Sequence, residues 1–246
     1  MNINFCWFSY EKDGSILPYS VGSVLSNFPS SKCFIYEDGL KPIEPEHKEK
    51  LLSDNRVEIR PTWFLRKRNL NGIECVRGIL GGMQDASEDC DWVAKIDADT
   101  MIHSPNYINE SLTRGIKEKK LQVGFGKDMS NFCWGWIYFL KKEIILSLLH
   151  EMVRTGRMFY DPSGKFAEDS TLTGIIRHLG GAESVEVDRF KLYHDNIFSW
   201  DYSSPPSMNR ISEETSIVNF GYANARVVPD FYEKRESLMK KFYEQC

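Results

Sequence analysis

The sequence predicts an α/β domain with a mostly parallel central sheet flanked by helices. Three observations lead there. Short β-prone runs at 3–10, 33–36 and 57–60 alternate with helical segments at 18–27 and 44–52, the β-α-β-α-β order of a parallel sheet with crossover helices. A further run, 93–96, is apolar except for one lysine and leads directly into Asp97-Ala98-Asp99. The 246 residues, 41% hydrophobic and 13% aromatic, suffice for one large α/β domain or two small ones with a real core.

In chain order, the first strand is followed by a polar turn at 11–14 and a helix with Val21, Val24 and Leu25 on one face. The second strand closes on Glu37-Asp38-Gly39, and Pro61 ends the third. A helix then runs to about Asp85, striped by Ile73, Val76, Ile79, Leu80 and Met83, with Asn69 or Asn71 as candidate caps. After the two aspartates, Ser104-Pro105 opens a helix to about Lys119, in cap and first-turn positions. Residues 121–126 form a strand, 134–140 an aromatic strand and 142–155 a helix. Residues 159–165 are a Gly/Pro/Ser loop, and a helix starts near Glu168-Asp169. Residues 184–193 alternate like a strand and deliver His194-Asp195. A Pro/Ser-rich loop at 200–206, an edge strand at 217–220 and a charged helix at 231–244 complete the chain.

The net charge of −4 provides no global basic field for nucleic acid. Local basic clusters stand at 66–68 and 117–120, the second reading as a solvated helix end. The six cysteines include no C-x-x-C pair, which leaves zinc and thioredoxin-type sites without support. Cys6 and Cys33 lie within apolar strands, as buried free thiols do in a reducing compartment. The N-terminal residues lack a signal-peptide pattern, and no run approaches the roughly 18 apolar residues of a membrane span. The expectation is a soluble cytoplasmic protein.

Asp97 and Asp99 stand where a strand emerges from the sheet, the edge at which open α/β sheets bind ligands. Their hard oxygens suit Mg²⁺ or Mn²⁺ holding substrate phosphates, although such triplets also occur in solvated turns. Arg66 and Arg68, beside a helix start, suit a diphosphate or a solvated loop. Glu168 and Asp169 oppose the dipole of the helix they open. Trp134 and Trp136 suit core packing or stacking on sugars and bases.

The order of these motifs resembles a GT-A-fold (Rossmann-like) glycosyltransferase, closest in flavour to the inverting family 2 group. The segment Arg68-Asn69-Leu70-Asn71-Gly72 with the helix after it, the Ile96-Asp97-Ala98-Asp99 run, the 124–140 stretch and Ala167-Glu168-Asp169 carry the likeness. About 70 residues separate D-x-D from E-D. The likeness covers roughly residues 1–195. The Pro-x-Tyr/Asn opening of the family is absent, the last quarter matches nothing in it, and the Q-x-x-R-W motif of processive synthases is missing.

The resemblance implies one domain over 1–246: a nucleotide-sugar half at 1–102, an acceptor and catalytic half at 103–200, and a C-terminal loop and helix at 201–246. It implies a single-transfer enzyme using a nucleoside-diphosphate sugar, by default a uridine diphosphate sugar. Asp99 would ligate Mn²⁺ or Mg²⁺, Asp97 would bind ribose or metal, and His194 would be a last ligand. Arg66 or Arg68 would face the diphosphate, with Asn71 near the nucleotide and Asp38 reading its base. Asp169 would be the general base of an inverting reaction and Glu168 its helper. The acceptor would be an oligosaccharide or glycolipid, with a protein side chain or a modified nucleic-acid base as alternatives. Competing classes are a non-catalytic nucleotide-sugar or glycan-binding module and a D-x-D phosphatase. The second is disfavoured by Met101 and by the late position of the motif.

Overall fold

The computed structural model describes residues 1–62, 73–126, 133, 135–155, 168–188, 194–196, 215–221 and 230–245. Its elements are β1 (Ile3–Ser9), α1 (Leu17–Asn27), β2 (Cys33–Asp38), α2 (Pro45–Leu52), β3 (Val57–Thr62), α3 (Ile73–Asp85), β4 (Trp92–Ile96), β5 (Thr100–Ile102) and α4 (Asn106–Lys117). There follow β6 (Gln122–Phe125), β7 (Ile137–Lys141), α5 (Lys142–Thr155), α6 (Glu168–Gly180), β8 (Val185–Asp188), β9 (His194–Asn196), β10 (Ile217–Asn219) and α7 (Phe231–Tyr243).

Seven strands form the main sheet in the order β3-β2-β1-β4-β7-β6-β8. Only β7 runs against its neighbours; the other pairings, β3 with β2, β2 with β1, β1 with β4 and β6 with β8, are parallel. The expected mostly parallel sheet is therefore present. The mostly apolar runs of β1 and β4, each with one buried polar residue inside it (Asn4 and Lys95), follow from burial on both faces. One face is covered by α1, α4 and α7, with Leu17, Val24, Ile108, Leu112, Met239 and Phe242 buried there. The other is covered by α3, α5 and α6, through residues such as Leu80, Met83, Leu148, Met152, Leu172 and Ile176. Cys6, Cys33, Cys75, Cys90 and Cys133 are buried and form no disulfide, as the sequence suggested for the first two. Among the described residues no helix is long and apolar enough to cross a membrane.

The structure corrects several sequence expectations. Residues 100–102, just past the two aspartates, do not continue β4 but belong to a second sheet of order β5-β10-β9. The segment at 217–220 is not an edge: β10 is the middle strand, antiparallel to β5 and parallel to β9, and is buried. The aromatic strand begins only at Ile137, because residues 135 and 136 turn toward the D-x-D segment. Pro105 is the cap of α4 rather than its first residue, and the Ser104 hydroxyl accepts the Asn106 amide at 3.4 Å. The strand expected over 184–193 is described as Val185–Asp188; 189–193 and the loops at 159–165 and 200–206 lie outside the described residues.

Helix α1 seats the second sheet through polar side chains spaced along one face. The Ser20 hydroxyl accepts the Trp7 indole N–H at 2.9 Å and donates to the Thr100 carbonyl at 2.6 Å. The Ile102 amide donates to the Ser23 hydroxyl at 3.0 Å, and Asn27 Nδ2 donates to the Ile102 carbonyl at 2.9 Å. These bonds fix β5, and hence the direction in which the chain leaves Asp99. Ser20→Ala orphans a buried indole N–H and weakens that seat. The expected loss is about 1–3 kcal/mol of unfolding free energy with an unchanged denaturant slope, measured by urea titration. A variant as stable as the wild type would refute the seat.

Candidate active site at the carboxyl edge of the sheet

Side chains two apart in a strand share a face, so Lys95 near the end of β4 projects with Asp97. Lys95 is 5% exposed and its ammonium has three donors to satisfy. One goes to Asp97 Oδ1 at 2.6 Å and another to the Gly135 carbonyl. Glu168 Oε1 stands 3.8 Å away, and the Tyr138 ring centroid 5.8 Å away. Burial alone would lower the Lys95 pKa; the carboxylates of Asp97 and Glu168 outweigh it, and the ammonium is held charged.

The same lysine gathers the two acids at the start of α6. The Tyr138 hydroxyl donates to Glu168 Oε1 at 3.0 Å. The Gly135 amide donates to Asp169 Oδ2 at 3.0 Å, and the Ser170 amide to Asp169 Oδ1 at 2.7 Å. The Asp97 amide in turn donates to the Trp136 carbonyl at 2.8 Å, which holds the 135–136 turn against the D-x-D segment. Gly135 packs closely against this charged cluster. A Cβ there would lie 3.2 Å from Glu168 Oε2, 3.5 Å from Lys95 Nζ and 3.6 Å from Asp169 Oδ2. Burial pushes the Glu168 carboxyl up to about 7 despite Lys95, with Asp169 and Asp97 adding to the rise. Burial also raises Asp169, against the two backbone N–H groups that favour its charged form.

Asp99 faces a different set of partners. Its Oδ2 lies 3.2 Å from Arg235 Nη1 on α7, and its Oδ1 accepts Asn219 Nδ2 at 3.3 Å. Its carbonyl accepts the Phe220 amide at 2.7 Å. A Cβ at Gly221 would come within 2.8 Å of Asp99 Oδ2, so the chain passes close to this carboxylate.

The structure thus brings Asp97, Glu168 and Asp169 together around Lys95 and Gly135, with Asp99 on the adjoining side of the same turn. Asp38 ends β2 at the same edge, is buried, and uses Oδ1 to accept the Leu40 amide at 2.8 Å, closing a turn. His194 lies on β9 in register with Ile217 and, through it, with Ile102; the β9 residue level with Thr100 is Asn196. That register sets the His194 backbone two strands across from Asp99 and three residues along, roughly 10 Å in each direction. Arg66, Arg68, Asn71 and Trp134 lie outside the described residues.

Sequence reasoning passed over Lys95, Gly135, Tyr138 and Arg235. The lone lysine of an otherwise apolar strand was the visible signal for the first. Hard oxygen donors from Asp97 and Asp99 fit Mg²⁺ or Mn²⁺, which need only one or two carboxylates besides phosphate and water. Among the described residues Asp97 Oδ2 accepts no hydrogen bond, and the Asp97 side chain is 39% exposed.

This combination is a GT-A glycosyltransferase fold: a mixed α/β domain with its acidic site at the carboxyl edge of a mostly parallel sheet. Similar solved structures include the galactosyltransferase LgtC in complex with donor and acceptor sugar analogues, at TM-score 0.59 and 10% identity, covering 100% of this chain and 96% of that one. An active-site variant of LgtC gives TM-score 0.54 and 12% identity over 98% of this chain and 96% of that chain. The bifunctional glycosyltransferase WbbM in its apo form gives 0.58 and 10% identity over 98% of this chain and 51% of that chain. At these identities the likeness is one of fold. No family model and no curated protein matches the sequence.

The raised Glu168 pKa has a thermodynamic sign. Between its ordinary 4.5 and about 7 the folded chain binds a proton that the unfolded chain has released. The Glu168 contribution to stability therefore falls as pH rises through that window. Glu168→Gln, compared with wild type by urea denaturation at pH 5 and pH 7, is expected to gain relative stability at the higher pH. An equal difference at both would contradict the burial of this carboxyl.

Proposed function

We propose that the chain is a glycosyltransferase that moves a sugar from a nucleoside-diphosphate sugar to an acceptor hydroxyl, with metal dependence and inversion at the anomeric carbon. The observation that carries this reading is the joint placement of Asp97, Glu168 and Asp169 around one buried lysine, at the ligand-binding edge of a GT-A fold. A solvated D-x-D turn has no need of acids delivered to it from a helix about 70 residues further on.

In the reaction, the acceptor oxygen forms a bond to the anomeric carbon as the bond to the diphosphate oxygen breaks. The diphosphate leaves with the electron pair, and the hydroxyl proton passes to a carboxylate. Asp169 is the proposed base. Its two oxygens are oriented by the Gly135 and Ser170 amides, and burial raises its affinity for a proton. Glu168, pushed up to about 7 and 3.8 Å from the Lys95 ammonium, adjusts the charge around that base. Asp97 and Asp99 would hold Mn²⁺ or Mg²⁺, which when bound neutralises negative charge developing on the leaving diphosphate. Lys95 fixes Asp97 for that task through a 2.6 Å hydrogen bond. Asp38, at the same edge, would meet the base, with uridine as the default. The preferred acceptor is an oligosaccharide or glycolipid; a protein side chain or a modified base is the alternative. LgtC, similar in fold, has been captured with donor and acceptor sugar analogues, in keeping with this substrate class.

Two measurements test the reading. Nucleoside-diphosphate release from a panel of nucleotide sugars is expected to require Mn²⁺ or Mg²⁺, to stop with EDTA, and to fall about 10²-fold or more in Asp99→Ala. Absence of both turnover and binding across the panel would refute a transferase. With the donor known, Asp169→Asn is expected to lower kcat by about 10²–10⁴-fold while donor KM changes little. Product anomeric configuration by NMR then reads inversion directly. A fully active Asp169→Asn, or a retained configuration, would remove Asp169 from the role of base.

A further inference from the structure

The C-terminal helix α7 carries Phe231, Arg235, Met239 and Phe242 at helical spacing on one buried face. Three are apolar and join the core; Phe242 packs 5.7 Å from Phe220 and 5.4 Å from His103, centroid to centroid. Arg235 is only 6% exposed in that stripe. Its guanidinium lies 5.4 Å from the Phe231 ring centroid and 5.3 Å from that of Tyr232, and reaches Asp99 Oδ2 at 3.2 Å. Its Nε is buried and has no hydrogen-bond partner among the described residues. A buried ion pair costs desolvation that an apolar residue at this position would not, so packing alone does not account for an arginine here.

Each aspartate of the D-x-D turn thus has its own buried cation: Lys95 for Asp97 and Arg235 for Asp99. Two carboxylates meet two cations, and this four-residue set is neutral. Glu168 and Asp169 stand beyond Lys95, toward the other end of the site. A bare pair of aspartates attracts a free divalent cation most strongly. A neutralised pair loses that attraction and also loses its repulsion of an anionic diphosphate.

We propose that Arg235 is a positioning and charge-setting residue that tunes the Asp97–Asp99 turn to receive a metal–diphosphate complex in preference to the free metal ion. The C-terminal helix is thereby part of the donor site. This rests on the transferase reading above and adds a selectivity to it. Removal of the guanidinium leaves the turn with one more net negative charge. Free Mn²⁺ is then bound more tightly and the anionic manganese–nucleoside diphosphate complex less tightly. A purely structural arginine predicts that both weaken together.

The test is calorimetric titration of wild type, Arg235→Met, Arg235→Gln and Arg235→Lys. One series uses MnCl₂ alone; the other uses UDP, GDP, CDP and dTDP at saturating Mn²⁺. Thermal melts accompany both. Arg235→Met and Arg235→Gln are expected to shift the two affinities in opposite directions, each by about tenfold, the order of one nearby charge in a partly exposed site. Arg235→Lys restores the wild-type order. If Arg235→Met does not fold, Arg235→Gln decides. Parallel loss of both affinities, or no change in either, overturns the proposal. Wild-type failure to bind any of the four diphosphates, with or without metal, overturns the donor reading itself, and the proposal with it.

Discussion

The buried ammonium of Lys95 is the interaction on which the acidic site depends. Three chain segments that are distant in sequence meet at it: the end of β4, the turn before β7 and the first turn of α6. Without a cation at that point, Asp97, Glu168 and Asp169 would place three carboxylates in one partly dry volume, and their mutual repulsion would drive protonation or splay the segments apart. Helix α6 contributes the positive end of its dipole to the same balance. The lysine also takes the carbonyl of residue 135, and that approach packs Gly135 tightly against the Glu168 carboxylate. The conformation of the 135–136 turn, and with it the starting point of β7, follows from these contacts.

Such a site needs a rigid floor, which the sheet provides. β4 lies between β1 and β7, so Lys95 is paired on both sides, with Cys6 and with Tyr138. Tyr138 is the residue whose hydroxyl reaches Glu168. One strand pairing thus sets the backbone register and also delivers a hydrogen-bond donor to the acid. On the other side of the turn, the polar face of α1 holds β5, so Asp99 is held between two sheets rather than at the tip of a free loop. A metal-binding or base-positioning role requires such restraint, since a misplacement of about 1 Å can cost two orders of magnitude in rate.

The parts of this arrangement legible in the sequence are those written in local pattern. The parallel sheet was legible because short, mostly apolar β-prone runs alternate with helical segments, and β1, β2 and β4 are buried on both faces. The position of Asp97 was legible because a strand end is a local event. Glu168 and Asp169 were legible as a pair through their place at a helix start, and also through resemblance. The middle position of β10 was not legible. Three residues with two partners look the same in sequence as three with one, and only the tertiary pairing with β5 and β9 separates the two. Lys95 could have been singled out, since a lysine inside a buried strand demands a counter-charge and Asp97 stood two residues on. Arg235 is harder: its helix is rich in charge, and its place in the apolar stripe shows only when Phe231, Met239 and Phe242 are known to face inward.

A D-x-D triplet therefore says less about a site than the cations around it do. The carboxylates set what kind of ligand can approach, since hard oxygens suit hard divalent ions and ribose hydroxyls. The cations set how much net charge the incoming ligand must bring to be held. In this chain one cation comes from the motif's own strand and the other from a helix more than 130 residues later. The first is part of the sheet and forms with it. The second comes from α7, so the charge balance of the acidic turn depends on a helix remote from it in sequence.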